Sequence, residues 1–474
     1  MLFNSIEYLL FLPLTFLVYW SIKRRSIQNL FIVAASYFFY ACWDWHFLSL
    51  IVITTLSSYA AGCAMDRPGA GRQMRFAVFL ASIALNLFIL GVFKYYDFFS
   101  RSFSSLLALF GISADYPTLN IILPVGISFY TFQAVGYTID VYRRQMAACR
   151  SLVDFSAFIC FFPQLVAGPI EPASHLLPQL RHSRSFDYHN AVTGMRLILW
   201  GLFKKMVVAD NCAITVDMVW SDYTGYSSGM LFVASLLFTV QIYCDFSAYS
   251  EIAVGSAKLL GIELLDNFKT PYFSTSIPEF WRRWHITLMN WFQTYIYIPL
   301  GGSRMGRFVT LRNVFIVFLF SGLWHGANFT FIVWGLFHAL LSAPYVLLGI
   351  RSRRASEAIA VTWKQVPSLV LTFMLVSLGW IIFRAPDLQS AAGYFSHMLT
   401  SGIAFADFSG IKALGVSILC LAVEWIQRNR ACPLDFGFSS RPAFSWARAA
   451  AYYVILLLIV ALSVRQDSFI YFQF

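Results

Sequence analysis

Two histidines occupy positions where an ionisable ring is hard to keep without a use. His325 lies within Leu319-Phe-Ser-Gly-Leu-Trp-His-Gly-Ala-Asn-Phe-Thr-Phe-Ile-Val-Trp-Gly335, an apolar run long enough to enter a bilayer. A polar ring in hydrocarbon normally faces a bundle interior or a wet cavity, so it raises a functional-site hypothesis. Imidazole titrates near neutral pH and suits proton transfer; the competing reading is a core histidine bonded to a backbone carbonyl. Gly322 and Gly326 leave bare backbone beside it, which admits either a substrate or a packed neighbouring helix. His285 lies in Pro278-Glu-Phe-Trp-Arg-Arg-Trp-His-Ile-Thr-Leu-Met-Asn-Trp291. Read as one helix, this stretch stacks Trp281 and His285 at i and i+4, with Arg282 one position round. Arg282 and Arg283 then offer charge to an anionic donor, such as a nucleotide or pantetheine phosphate, and Trp281 and Trp284 wall a channel. The alternative is an interfacial Trp/Arg belt with His285 bonded within the fold.

Other chemistry-bearing residues point less sharply. Asp245 and Glu251, in Tyr243-Cys-Asp-Phe-Ser-Ala-Tyr-Ser-Glu251, fall at the inner end of an expected span. Either could orient a histidine or bind a hydroxyl, and a helix-end pair with a nearby arginine is the competing use. His338 follows His325 by 13 residues; at ~100° per residue the two would point to different sides of one helix. A paired metal site is therefore not expected. His175, His182 and His189 read as solvated members of a polar connection. The eight cysteines include no C-x-x-C pair and mostly lie in apolar surroundings, which supports neither zinc nor a disulfide framework. No G-x-S-x-G elbow, Walker A loop or H-E-x-x-H is present. Serine hydrolase, ATPase and zinc protease readings lose their main support.

These residues need a membrane bundle to position them. The chain has 474 residues, 59% hydrophobic and 12% charged, with mean hydropathy +0.66, which fits a polytopic membrane protein and not a soluble one. One helical bundle can absorb every apolar segment, so residues 1–474 are expected to form a single all-α membrane domain. The net charge of +11 sits in short clusters between apolar runs rather than along one face. This argues for topology signals and against nucleic acid. Spans of ~20 residues are expected near 6–22, 28–43, 46–64, 76–93, 119–142, 191–209, 229–248, 313–328, 329–350, 367–384, 410–427 and 447–465. Placing the basic clusters on the cytoplasmic side sets the N-terminus and the tail 465–474 outside. Met1 to Trp20 reads as a retained first span, having no basic n-region or small-residue cleavage site. Lys204 and Lys205 break the charge pattern, so they either snorkel or show that a helix is misplaced. Residues 151–178 and 267–302 start and end on the cytoplasmic side and are expected to be re-entrant, lining a cavity. Residues 98–116 and 387–407 read as amphipathic outer-surface segments. From Arg312, His325 would lie ~20 Å deep, past the middle of a ~30 Å core. A cytoplasmic reactant would need a tunnel to meet it.

Taken together, several motifs resemble the membrane-bound O-acyltransferase family, and within it the bacterial alginate O-acetyltransferase branch. They are Leu2-Phe-Asn-Ser-Ile-Glu-Tyr-Leu-Leu-Phe-Leu-Pro13, Leu123-Pro-Val-Gly-Ile-Ser-Phe-Tyr-Thr-Phe-Gln133, Phe162-Pro-Gln-Leu-Val-Ala-Gly-Pro169, Asp245-Phe-Ser247, Phe280-Trp-Arg-Arg-Trp-His285, Tyr297-Ile-Pro-Leu-Gly-Gly302 and Gly322-Leu-Trp-His-Gly326. The resemblance implies about 11–13 transmembrane and re-entrant helices ringing a funnel and buried channel. It implies His325 as catalytic histidine and His285 as second functional histidine; beside them, Trp281, Arg282, Arg283, Trp284, Asn290, Trp324, Asn328 and Asp245 are the candidate substrate-binding residues. No bound cofactor or metal is expected. The donor would be acetyl-CoA or an acyl-carrier thioester. The acceptor would be an alginate-like exported polysaccharide or an extracytoplasmic acetyltransferase, and the setting the bacterial inner membrane. Gln293 and Thr294 stand where the family usually carries Arg-Asp, and Ala248 and Glu251 where Gly and Asp are usual. Alternatives are a D-alanyl-transferring relative that uses a carrier protein, or a transporter without chemistry. A transporter would be expected to show inverted repeats, and the sequence has no visible repeat.

Overall fold

The structure is a computed structural model that describes residues 1–112, 117–119, 122–350, 352–354, 357–404, 410–430, 432–435, 442–464 and 469. Every regular element among them is helical. The backbone groups into two compact units, residues 1–191 with 256–265, and residues 192–255 with 266–474.

The first unit contains α1 (Ile6–Ser21), α2 (Arg25–Asp44), α3 (Leu48–Met65), α4 (Arg72–Leu90), α5 (Tyr96–Leu109), α6 (Ile127–Tyr142), α7 (Leu152–Cys160), α8 (Phe162–Leu165) and α9 (Ala173–Arg181). Helix starts follow local chemistry: the Ser5 hydroxyl accepts from the Tyr8 N–H, and that of Ser151 from the Asp154 N–H. Residues 98–109, expected to belong to an outer-surface helix or loop, continue α4 through a π-helical turn at Gly91–Tyr95, giving a helix of 38 residues. The amphipathic pattern reported one face of a long helix and not its end; residues 113–116 fall outside the described set. Between α7 and α9 the backbone is interrupted and buried throughout residues 161–171. The Gln164 Nε2 donates to the Phe158 carbonyl, absorbing one loose acceptor. His175 is not simply solvated: its Nδ1 lies 2.6 Å from Glu171 Oε2, and this carboxylate holds the imidazole above its usual pKa.

The second unit contains α10 (Tyr188–Phe203, beginning in the first unit's range), α11 (Asp210–Ser221), α12 (Ser228–Leu259), α13 (Ile277–Arg283), α14 (Ile286–Phe292), α15 (Arg307–His325), α16 (Phe329–Leu348), α17 (Val366–Arg384), α18 (Leu388–Thr400), α19 (Ile411–Gln427) and α20 (Pro442–Leu462). Among the described residues of the whole chain, six helices are at least 18 residues long and apolar enough to cross a membrane: 48–65, 72–109, 228–259, 307–325, 329–348 and 363–384. The expected outer tail, 465–474, lies outside the described residues apart from Phe469.

α15 and α16 form a tight hairpin. A Cβ at Gly322 would collide with the Phe331 carbonyl, and one at Gly335 with the Phe318 carbonyl. Of the two uses open to Gly322 in the sequence, the backbone of a neighbouring helix is the one observed, and the pair approach as only glycine permits. Asn328 caps α16, its Oδ1 accepting from the Thr330 N–H and its Nδ2 donating to the Pro386 carbonyl.

Lys204 and Lys205 neither snorkel nor mark topology. They occupy a π-helical turn, Lys204–Ala209, that joins α10 to α11, and both are fully buried. Lys204 Nζ lies 2.6 Å from Glu251 and 3.5 Å from Glu424; Lys205 Nζ lies 2.7 Å from Asp245 and 2.9 Å from Asp210. Asp245 and Glu251 are also not at a helix end. α12 runs on to Leu259, so both lie well inside it, and their partners are lysines rather than arginines. The polar residues of the 243–251 stretch gave an early stop signal, which the buried counterions override.

Candidate active site

α15 stops at His325. Gly326 is extended, and the chain turns at once into α16, so the imidazole stands at the head of the hairpin. The ring is 5% exposed and boxed edge-on by Trp324, Trp334 and Phe383, with centroids 4.9, 5.1 and 5.3 Å away. Such a box excludes bulk water and fixes the plane of the ring.

His285 also packs against Trp324, at 5.5 Å between ring centroids. The helix expected to carry both Trp281 and His285 does not exist as one piece. α13 closes at Arg283, Trp284 is extended, and His285 takes the left-handed conformation with φ 45° before α14 starts. A non-glycine residue held there costs about 1–2 kcal/mol, and such outliers cluster at functional sites. What holds it is Asn267. Its Oδ1 lies 3.2 Å from His285 Nδ1 and accepts from the Thr287 hydroxyl at 2.6 Å, while its backbone carbonyl accepts from the Ile286 N–H at 2.9 Å. With Nδ1 donating to Asn267, the tautomer assigned by this network leaves Nε2 as the lone-pair nitrogen.

The remaining sequence candidates fall into three groups. Trp281 and Trp284 are buried beside the histidines' supports: Trp281 packs on Trp334 at 5.6 Å, and Trp284 on Trp380 at 4.9 Å. Arg282 is exposed and donates to the carbonyls of Ser352 and Arg353, whereas Arg283 is buried, paired with Glu279 at 3.2 Å and donating to the Glu357 carbonyl. Asn290 is exposed on α14, Asn328 serves as a helix cap, and Asp245 is engaged by Lys205. Gln293 and Thr294 open a π-helical turn that follows α14. His325 and His338 do not share a helix, as the 13-residue spacing suggested; they lie on α15 and α16, and both pack against Trp334.

Next to this cluster is a chamber of about 490 Å³ lined with charge of both signs: Lys269, Arg283, Arg428 and Arg430 against Glu251, Glu357, Glu424 and Asp266. Phe268 forms part of its wall and packs on Trp284 at 5.1 Å and on His285 at 6.4 Å. Phe268 thus touches both this charge-lined space and the second histidine. Asn267, Phe268 and the chamber carboxylates carry no pattern that periodicity or motif spacing could have flagged. Asn267 and Phe268 were signalled only by membership of the aromatic segment 267–302, and of the carboxylates only Glu251 stood out in the sequence.

A buried pair of imidazoles around one indole, with a charged chamber behind it, fits group transfer to an oxygen nucleophile. Residues 143–348 match the model of MBOAT, the membrane-bound O-acyltransferase family. The chain is 36% identical over 496 residues to "Probable alginate O-acetylase AlgI" of Pseudomonas putida, covering all of both chains. The chain belongs to the membrane-bound O-acyltransferase family. It is also 33% identical over 506 residues to "Peptidoglycan O-acetyltransferase" of Helicobacter pylori, covering 99% of this chain and 90% of that one. Similarity to "Teichoic acid D-alanyltransferase" of Bacillus subtilis is 26% over 281 residues, 56% of this chain and 70% of that one. This membrane-bound O-acyltransferase is therefore an enzyme whose family chemistry joins an acyl group to an oxygen.

If Asn267 orients His285 for this enzyme, Asn267→Ala should lower acyl-transfer turnover about tenfold while the melting temperature in detergent changes little. The bond from His285 Nδ1 is one of those that Asn267 Oδ1 accepts, and its loss is worth about 1 kcal/mol of positioning. Steady-state kinetics and a thermal melt on the same preparation check this.

Proposed function

We propose that the enzyme moves an acetyl group from a cytoplasmic thioester, acetyl-CoA or an acylated carrier protein, to a hydroxyl presented from the outer side of the bacterial inner membrane. The acceptor is an exported alginate-like polysaccharide, or an extracytoplasmic acetyltransferase that passes the group on to one. His325 takes the hydroxyl proton as the oxygen attacks the thioester carbonyl. The tetrahedral intermediate then collapses: the C–O bond is kept, the C–S bond breaks, and the thiolate leaves and takes up the proton. His285, held by Asn267, faces the donor and helps to hold it in place. The chamber bearing Lys269, Arg283, Arg428 and Arg430 receives the donor's phosphates, and Phe268 touches both it and His285.

The observation that carries this reading is that His285 and His325 both pack against Trp324, at 5.5 and 4.9 Å between ring centroids. Acetyl is favoured over D-alanyl because the relatives similar over the whole chain are named as acetylating a glycan, whereas the D-alanyl relative matches 56% of it. Purified enzyme given radiolabelled acetyl-CoA and alginate oligomers tests the reading. Label on the glycan supports it, and label only with a D-alanylated carrier moves the enzyme to the alternative acyl group. Polymer movement across vesicles without any acyl transfer makes it a transporter.

A further inference from the structure

A second cluster lies deeper along α16, and the acyl-transfer chemistry as described does not use it. His338 is ten residues into the helix from its Asn328 cap, ~15 Å along the axis. It is fully buried. Trp281, Trp334 and Phe318 surround it at 4.9, 5.1 and 6.2 Å, and Gly379 of α17 leaves bare backbone against it: a Cβ there would lie 2.8 Å from Nε2. Among the described residues, neither ring nitrogen of His338 has a hydrogen-bond partner, and neither do the indole nitrogens of Trp281 and Trp334. Four unsatisfied nitrogens in one contiguous group is unusual, since the great majority of buried polar atoms in native proteins are paired. Edge-on packing offers an N–H only the weak attraction of a π face.

A neutral imidazole supplies one N–H and one lone pair, and each indole supplies an N–H. The group is therefore rich in donors, and what satisfies it is a molecule rich in acceptors. Trp334 touches both His338 and His325, so the cluster leads directly to the reacting ring. We propose that His338, with Trp281 and Trp334, is a positioning site for the extended arm of the acyl donor, its N–H groups binding the amide and thioester carbonyls of that arm. The inference rests on the acyl-thioester reading above and adds where the arm lies. His338 steers the donor and takes no proton from the acceptor.

The decisive variant is His338→Phe, which keeps an aromatic ring of similar size and removes both nitrogens. If His338 only filled space, this change would leave turnover within about twofold and hold or raise the melting temperature, because two unpaired polar atoms disappear. The proposal expects the melting temperature to hold while kcat/KM for the thioester falls about 10–100-fold, with KM for the hydroxyl acceptor unchanged. His338→Gln, which retains an N–H donor, should recover most of the loss. Folded His338→Phe with parental kinetics overturns the proposal, as does His338→Gln that is folded but no better than His338→Phe. Should His338→Phe fail to accumulate, His338→Leu is compared with His338→Gln by the same criteria. The underlying acyl-transfer reading stands or falls separately, on whether His325→Ala abolishes turnover.

Discussion

Replacing His325 by alanine is expected to lower turnover by ~10²–10⁴ while the protein still inserts and melts normally. The range is what a positioned general base typically contributes. Trp324, Trp334 and Phe383, which pack on this ring, cannot accept a proton in its place. Stability should hold for a geometric reason. His325 is the last residue of α15, and the hairpin beneath it is locked by the approach of Gly322 to the Phe331 carbonyl and of Gly335 to that of Phe318, not by the imidazole. Acceptor-dependent turnover and a melt of His325→Ala in detergent check both halves. Parental turnover would remove the base from the mechanism. A collapsed melt would mean that the ring is a core histidine.

The second large effect is on stability and lies away from the reacting rings. Lys205→Met should destabilise the enzyme by about 3–5 kcal/mol, the usual result of removing one member of a buried ion cluster. Its ammonium is 2.7 Å from Asp245 and 2.9 Å from Asp210, and all three side chains are buried. Methionine matches the stem and leaves two carboxylates without their cation. The sign is checked by compensation: Lys205→Met combined with Asp210→Asn and Asp245→Asn removes the stranded charge and should recover most of the lost melting temperature. Recovery is expected because an ion cluster replaced as a unit is often neutral. If the triple variant melts as low as the single one, the lysine acts through something other than charge.

Much of this architecture could be read from hydropathy and motif spacing, and what escaped has identifiable physical causes. His325 stood out because an imidazole in a long apolar run is expensive, and the structure places it buried at the hairpin head. The break at Trp284 and His285 did not stand out, because Trp281 and His285 have perfectly good helical spacing. Only the clamp from Asn267, 18 residues earlier, forces the left-handed turn, and an asparagine after an aspartate signals nothing by itself. Lys204 and Lys205 misled in the opposite direction. A charge count treats every lysine as a topology marker, whereas these two are counterions for carboxylates about 40 residues away on α12. The His325–His338 relation was misjudged for a simpler reason. Angular spacing along one helix has no meaning once the chain turns back at Gly326.

The central claim is that the donor and the hydroxyl meet His325 from opposite faces of the membrane. The direct measurement uses sealed vesicles of one orientation, with alginate oligomers trapped inside and radiolabelled acetyl-CoA supplied only to the face carrying Arg428 and Arg430. The mechanism predicts label on the trapped glycan, absent from vesicles that carry His325→Ala. Label appearing only when glycan and acetyl-CoA are supplied on the same face would contradict it.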